Sequence, residues 1–92
     1  MYVVIFKAEI NKFDDNYVKT ASKLREIAKS YGCTRFESFV AGNQEIALSY
    51  WPDRESIRRW GADPEHQAAQ TLGKSTWYKH YSVEIAELSG KR

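Results

Sequence analysis

The sequence predicts an α+β fold in which a four-stranded antiparallel sheet carries helices on one face. Three observations indicate this fold. The 92 residues are enough for one domain. Their hydrophobic content of 42% is that of a folded protein. Segments with strand and helix periodicity follow one another as β-α-β-β-α-α-β, the order of a ferredoxin-like split βαβ sandwich.

The first half of the chain contains three of the four predicted strands. Residues 2–10 are β-branched and aromatic, which is typical of a strand. Residues 14–31 repeat apolar side chains at helical spacing, with Asp14 placed as the N-terminal cap and Gly32 as a left-handed C-terminal cap. Residues 34–40 and 45–51 are predicted to pair as a hairpin around Gly42-Asn43.

The second half contains two consecutive helices and the last strand. Asp53 is the predicted cap of a short helix that ends at residue 60 or 61. Asp63-Pro64 starts another helix, because Pro favours the first helical position, and this helix runs toward Tyr78 with a loosening at Gly73. Residues 80–88 alternate as a strand. Residues 1–88 are therefore predicted to form one domain, and residues 89–92 a polar C-terminal tail.

Several strands are apolar on both faces, although the predicted helices cover only one face of the sheet. A second copy of the chain is the simplest cover for the other face, so we expect a homodimer with its sheets packed face to face. Tyr50 and Trp51 end the third strand and must point to opposite faces. One of them should face the helices and the other the partner.

Composition and motifs exclude several classes of function. The net charge of +2, with scattered Lys and Arg, gives no basis for binding nucleic acid or a membrane surface. Cys33 is the only cysteine, so a disulfide framework or paired-cysteine metal site is not expected, and a reducing cytoplasm is the default location. The five glycines form no phosphate-binding loop, and His66 and His80 lack metal-ligand spacing. We expect no cofactor and no metal.

The third predicted helix carries the strongest candidate site. His66, Gln70, Gly73 and Trp77 follow at i, i+4, i+7 and i+11, and so form one stripe that mixes an acid–base group, an amide and an indole. The helix dipole disfavours a cationic His66 near the N-terminus, and a neutral imidazole can act as a base near pH 7. The alternative is that Trp77 is a core residue and that His66 and Gln70 are solvated.

Two further aromatic residues are candidates for binding a flat substrate. Trp60, at the end of the short helix, can stack on such a ligand, and Tyr50 can donate a hydrogen bond to a substrate oxygen. Each residue also has a purely structural alternative. Trp60 would then be a core anchor, and Tyr50 an interior residue whose hydroxyl group forms a hydrogen bond with the backbone.

The segment YWPDRESIRRW, then PEHQAAQ, then a WY pair before the last strand, resembles the antibiotic biosynthesis monooxygenase family over nearly the whole chain. The resemblance implies a dimeric α+β barrel with a cleft between sheet and helices in each subunit. Some members oxidise aromatic substrates with dioxygen and without metal or flavin. The pocket positions implied for this chain are Trp60, Tyr50, Phe6, Gln70 and Trp77, with His66 at the mouth.

Other activities of the family fit the chain less well. Haem-degrading members need an axial histidine where this chain has Gln70, and an asparagine where it has Phe6. We therefore predict a cofactor-independent monooxygenase that acts on a small hydrophobic aromatic or quinone-like substrate. Its catalytic residues would be His66, Tyr50 and Gln70, and a non-catalytic dimer that binds or senses a small ligand is the alternative. RNA binding is disfavoured, because the strands lack the glycine-aromatic signature of RNA-recognition domains.

Overall fold

The order of elements is the one that the sequence predicts. The computed structural model describes residues 1–11 and 14–90. The strands are β1 (Tyr2–Ile10), β2 (Arg35–Ala41), β3 (Gln44–Trp51) and β4 (Tyr78–Glu87). The helices are α1 (Asp15–Ser30), α2 (Arg54–Gly61) and α3 (Pro64–Leu72), and a π-helical turn, Gly73–Trp77, joins α3 to β4. This is an α+β fold of the ferredoxin-like type.

The four strands form one sheet in the order β2-β3-β1-β4, and all neighbours are antiparallel. The register places Phe6 of β1 opposite Ala47 of β3, and Ala8 opposite Glu45. Alternate residues of a strand point to opposite faces. The side chains of Val4 and Phe6 therefore lie on the helix-covered face, and those of Val3 and Ile5 on the open face.

Each helix begins at an aspartate that caps it, as the sequence predicts. Asp14 accepts a hydrogen bond from the Tyr17 amide at 2.8 Å, and Asp53 accepts one from the Ser56 amide at 2.7 Å. Asp63 caps α3 in the same way. These side chains occupy amide groups that have no partner inside the helix, which explains why the helices start at these residues.

Aromatic residues form two core clusters at opposite ends of the sheet. In the first, Trp51 is fully buried, with Trp60, Val4 and Ala28 around it. In the second, Tyr17, Trp77 and Ile10 pack together beside Tyr78. The space between the two clusters, bounded by the sheet and the helices, is the cavity described below.

The connection between α3 and β4 differs from the prediction. The α-helix ends at Leu72 rather than near Tyr78, and β4 begins two residues earlier than expected, at Tyr78. The pairing of β1 with β4 shifts between Glu9, which faces His80, and Ile10, which faces Tyr78. This irregularity is a β-bulge, and a bulge changes the face to which the following residues point.

The final strand ends close to the start of the first. The Leu88 amide donates to the Met1 carbonyl at 2.9 Å, one residue after the end of β4. Residues 91 and 92 of the predicted tail lie outside the described residues, so the limits of the domain stay a prediction. Among residues 1–11 and 14–90, no helix has both the length and the apolar character needed to cross a membrane.

Candidate functional site

A cavity of about 250 Å³ lies between the helices and the covered face of the sheet. Its wall is mostly apolar and aromatic, and a few polar groups interrupt it. Apolar pockets with few polar groups are typical of sites for small molecules. The residues on which the site depends are Phe6, Tyr17, Glu45, Trp60, His66, Gln70, Trp77, Tyr78 and Tyr81.

Trp60 forms one end of this cavity. It is the penultimate residue of α2, and its indole packs on that of Trp51 with ring centroids 4.9 Å apart. Trp51 donates its own indole N–H to the Ser49 hydroxyl at 2.8 Å. The Nε1 atom of Trp60 is also buried, but it has no hydrogen-bond partner among the described residues. A buried donor without a partner is costly and uncommon.

His66 lies directly against Trp60, with ring centroids 4.3 Å apart and planes inclined at 64°. It is in the first turn of α3, where Asp63 accepts hydrogen bonds from the amides of Glu65 and His66. Its side chain is 9% exposed, so it lies inside the cavity wall rather than at the mouth. Within the described part of the chain, its Nδ1 atom has no hydrogen-bond partner.

Burial determines the charge state of His66. Desolvation lowers the pKa of this imidazole, and the negative charge of Asp63 opposes the shift only in part. The direction agrees with the prediction, and burial is the main cause. A neutral imidazole can accept a proton or a hydrogen bond at one nitrogen and donate at the other.

Three aromatic rings form the floor of the cavity. Phe6 lies 5.3 Å from Tyr78 and 5.8 Å from Tyr81, measured between ring centroids. Residues 78 and 81 are three apart and would face opposite sides of a regular strand. The bulge opposite Glu9 and Ile10 brings both onto the helix-covered face. The sequence pattern does not show a bulge, which explains why neither tyrosine is a sequence-based candidate.

A buried carboxylate also faces the cavity. Glu45 is 9% exposed, and the Tyr17 hydroxyl donates to its Oε1 atom at 2.5 Å. Burial raises the pKa of Tyr17, as do the hydrogen bond to Glu45 and its charge, so Tyr17 stays protonated. Burial also raises the pKa of Tyr78. The only signal for this group in the sequence is a Glu among the apolar residues of the third strand.

The sequence is similar to those of other named proteins. The chain is 34% identical to the uncharacterized Bacillus subtilis protein YqjZ, over 99% of its own length and 82% of YqjZ. It is 28% identical to the jasmonate monooxygenase ABM of Pyricularia oryzae, over 97% of this chain and 44% of that protein. No family model matches the chain.

Several solved structures share the fold. The structure of SnoaB, a cofactor-independent oxygenase from Streptomyces nogalater, superposes with a TM-score of 0.82 at 12% identity, covering 98% of this chain and 94% of SnoaB. An antibiotic biosynthesis monooxygenase superposes with a TM-score of 0.69 at 17% identity, covering 98% of this chain and all of the other. The chain belongs to one family with YqjZ, and it has the fold of the antibiotic biosynthesis monooxygenases.

The antibiotic biosynthesis monooxygenase fold brings together five of the six residues singled out from the sequence. Trp60, His66, Gln70, Trp77 and Phe6 all line the one cavity. Trp77 is also part of the core, where it meets the ring of Tyr17 edge-on at 5.4 Å. Gln70 is exposed at the edge of the cavity. Their roles in catalysis stay predictions.

Tyr50 is the exception, and its placement in the pocket is wrong. Trp51 faces the helices with an exposed fraction of 0%, so strand alternation sends Tyr50 to the open face of the sheet. There the guanidinium of Arg35 lies 4.8 Å from the centre of its ring. The sequence correctly predicts that the two residues point in opposite directions, but not which of them faces the helices.

The described residues contain no group of three or more His, Cys, Asp or Glu side chains that could hold a metal ion. Of the two histidines, His66 is in the cavity wall, and His80 is exposed 3.8 Å from a Glu9 carboxylate oxygen. The polar groups of the cavity wall include an imidazole, an indole N–H, an amide, a carboxylate, phenols and the guanidinium of Arg25.

Proposed function

We propose that the protein is a cofactor-independent monooxygenase that uses dioxygen to oxidise a small hydrophobic aromatic or quinone-like substrate in this cavity. One observation carries the proposal: two neighbouring buried groups, Nε1 of Trp60 and Nδ1 of His66, lack hydrogen-bond partners among the described residues. Both belong to side chains that line the cavity. A substrate oxygen and an acidic C–H group are the partners that they suit.

Trp60 stabilises negative charge on the substrate. The indole N–H can only donate, so it requires an acceptor such as a carbonyl or phenolate oxygen. In an apolar cavity such a bond strengthens as charge develops on the oxygen, because the surroundings screen it less than bulk water does. The Trp60 ring packs against both Trp51 and His66, so the donor is already oriented when the substrate binds.

His66 is the proton acceptor. Burial lowers its pKa, so the imidazole is neutral and can remove a proton near pH 7. The proton comes from a carbon whose carbanion is conjugated with the carbonyl group that Trp60 holds. The resulting carbanion gives electrons to dioxygen, so no flavin or metal enters the scheme. Gln70, at the edge of the cavity, would hydrogen-bond a second substrate oxygen.

Anthrone is a suitable probe substrate, because it is a flat ketone whose C10 carbon carries acidic protons. His66 removes one C10 proton, and the carbanion combines with dioxygen to form a C10–O bond. The imidazolium returns its proton to the peroxide. Loss of water then breaks the O–O bond and takes the second C10 proton. The products are anthraquinone and water. The four electrons that reduce dioxygen come from the two C–H bonds of C10.

The open face of the sheet supports a homodimer as the working form. No described helix covers this face, where Ile46 is 40% exposed and Phe39 and Tyr50 also lie. A second copy of the chain would bury these apolar side chains in an isologous interface. A homodimer is also what the family resemblance implies.

The test is the oxidation of anthrone under ¹⁸O₂ near neutral pH, with the product analysed by mass spectrometry. We expect anthraquinone with one ¹⁸O atom, at a rate well above that of buffer alone. Trp60→Phe and His66→Gln should each lower kcat/KM by about 10²-fold or more. His80→Gln, a change of an exposed histidine, should leave it unaltered. Bound anthrone with no product above the blank would contradict the proposal and leave only ligand binding.

A further inference from the structure

Glu45 is a buried carboxylate in the wall of the cavity, and the scheme above does not use it. It is 9% exposed and opposite Ala8 on the helix-covered face. Moving a carboxylate out of water is costly unless it is paired or hydrogen-bonded. None of the described residues forms an ion pair with it. Arg25, a cation that also lines the cavity, is engaged elsewhere, by a 3.0 Å hydrogen bond to Ser38 and by the Phe36 ring.

The hydrogen bond from Tyr17 occupies only one of the two carboxylate oxygens. The Tyr17 hydroxyl donates to Oε1 at 2.5 Å. No donor in the described part of the chain reaches Oε2. A carboxylate can accept several hydrogen bonds, so Oε2 is available to a group inside the cavity. Tyr17 fixes the orientation of the carboxylate, as a supporting residue does for a binding group.

Glu45 and the Trp60–His66 pair lie toward opposite ends of the cavity. Glu45 is near the start of β3, and Trp51, on which Trp60 packs, is the last residue of that strand, six positions later. Six residues of extended strand span about 20 Å. Phe6 lies opposite Ala47, between these two ends. The cavity thus has an acceptor toward one end, a donor at the other and an aromatic floor between them.

We propose that Glu45 is a specificity-determining residue of this cavity, which accepts a hydrogen bond from a hydroxyl group of the substrate through Oε2. The inference rests on the proposed function, since it concerns the same cavity. The carbonyl group of the substrate accepts from Trp60 while its hydroxyl group, on the far side of the ring system, donates to Glu45. A hydrocarbon-like ligand leaves the carboxylate without a second partner, and the cavity selects against it.

A purely structural role for Glu45 predicts a different result. In that case the hydrogen bond from Tyr17 only fastens α1 to β3. Its loss would then destabilise the fold and weaken all ligands equally. The quantity that separates the two roles is the ratio of affinities for two ligands that differ in a single hydroxyl group.

The experiment is isothermal titration calorimetry with 6-acetyl-2-naphthol and its methyl ether, 6-acetyl-2-methoxynaphthalene. The wild-type protein should bind the naphthol about tenfold more tightly or better, which is the effect of one hydrogen bond to a charged group. Glu45→Gln should reduce this preference to about threefold or less, because the amide oxygen is a weaker acceptor. Glu9→Gln, a change of a carboxylate outside the cavity, should leave the ratio unaltered.

The outcomes separate this inference from the proposed function. Equal binding of both probes by the wild type, or an undiminished ratio in Glu45→Gln, would overturn the role of Glu45 while leaving the cavity as a site for aromatic ketones. Binding of neither probe would overturn both. If Glu45→Gln does not fold, the ratio of the wild-type affinities for the naphthol and its methyl ether still tests the role of Glu45. Tyr17→Phe, which keeps the carboxylate, should then retain a preference for the naphthol.

Discussion

The imidazole of His66 and the indole of Trp60 are in edge contact, with ring centroids 4.3 Å apart. They come from two consecutive helices joined by a short link, Ala62-Asp63. Each carries a buried nitrogen without a partner among the described residues. This contact places a donor for a substrate oxygen beside an acceptor for a substrate proton. It is the feature on which the proposed chemistry depends.

Burial of His66 predicts that stability falls in mildly acidic solution. The folded-state pKa of His66 lies below its unfolded value near 6.5, so the folded state binds fewer protons than the unfolded state between those two values. The free energy of unfolding should therefore fall as pH drops below about 6.5 toward the folded pKa. Urea denaturation at several pH values between 7.5 and about 5 measures this decrease in the free energy of unfolding.

The matched control for this effect is the second histidine. His66→Gln should remove the decrease between about pH 6.5 and pH 5, because the buried titrating group is gone. His80→Gln should keep it, because the His80 side chain is 73% exposed and His66 remains. The same decrease in wild type and His66→Gln would show that other groups cause it.

Close packing at Gly73 predicts a specific intolerance to alanine. The backbone of Gly73 is helical, with φ of −59°, so no unusual conformation requires glycine. A β-carbon there would lie only 2.6 Å from Cε2 of Tyr78, whose ring packs against Phe6. Gly73→Ala should lower the free energy of unfolding by about 1–3 kcal/mol in urea denaturation, because the overpacked ring must move.

Gly61 provides the comparison for that substitution. It is the last residue of α2, and a β-carbon there would contact nothing within 4 Å. Gly61→Ala should be neutral or stabilising by up to about 1 kcal/mol, because alanine loses less backbone entropy on folding. Equal destabilisation by both substitutions would show that backbone freedom, rather than the Tyr78 ring, explains the glycines.

The open sheet face predicts the effect of a charge on assembly. Ile46→Glu puts a carboxylate on the face proposed to meet the partner, where its burial is costly. Sedimentation velocity should show a dimer for the wild type and mainly a monomer for this variant. Leu72→Glu changes a residue of similar exposure, 41%, on the helix layer and should leave the dimer intact. A monomeric wild type would refute the dimer.

The sequence predicts the fold well because local signals agree with the tertiary structure. The three capping aspartates and the Gly42-Asn43 hairpin each act within a few residues, so a sequence window contains all the information needed. Helical spacing likewise places His66, Gln70 and Trp77 on one side of the third helix and its continuation, and all three reach the cavity.

Features that depend on contacts between distant segments are not predicted. The bulge that turns both Tyr78 and Tyr81 toward Phe6 arises from the pairing of β4 with β1. The burial of Glu45 depends on a hydrogen bond from Tyr17, 28 residues away along the chain. The misplacement of Tyr50 has the same origin, since only packing on Trp60 decides that Trp51 faces inward.

The central claim is that the indole N–H of Trp60 binds a carbonyl oxygen of an aromatic ligand. The direct measurement is ¹H–¹⁵N NMR of the three indole N–H groups during titration with 2-acetylnaphthalene, with Trp60→Phe to assign the signal. The account predicts that the Trp60 indole proton moves downfield as the ligand binds. The Trp51 signal should change little, because its N–H already donates to Ser49. A Trp60 signal that stays in place while cavity residues such as Ala69 shift would contradict the account.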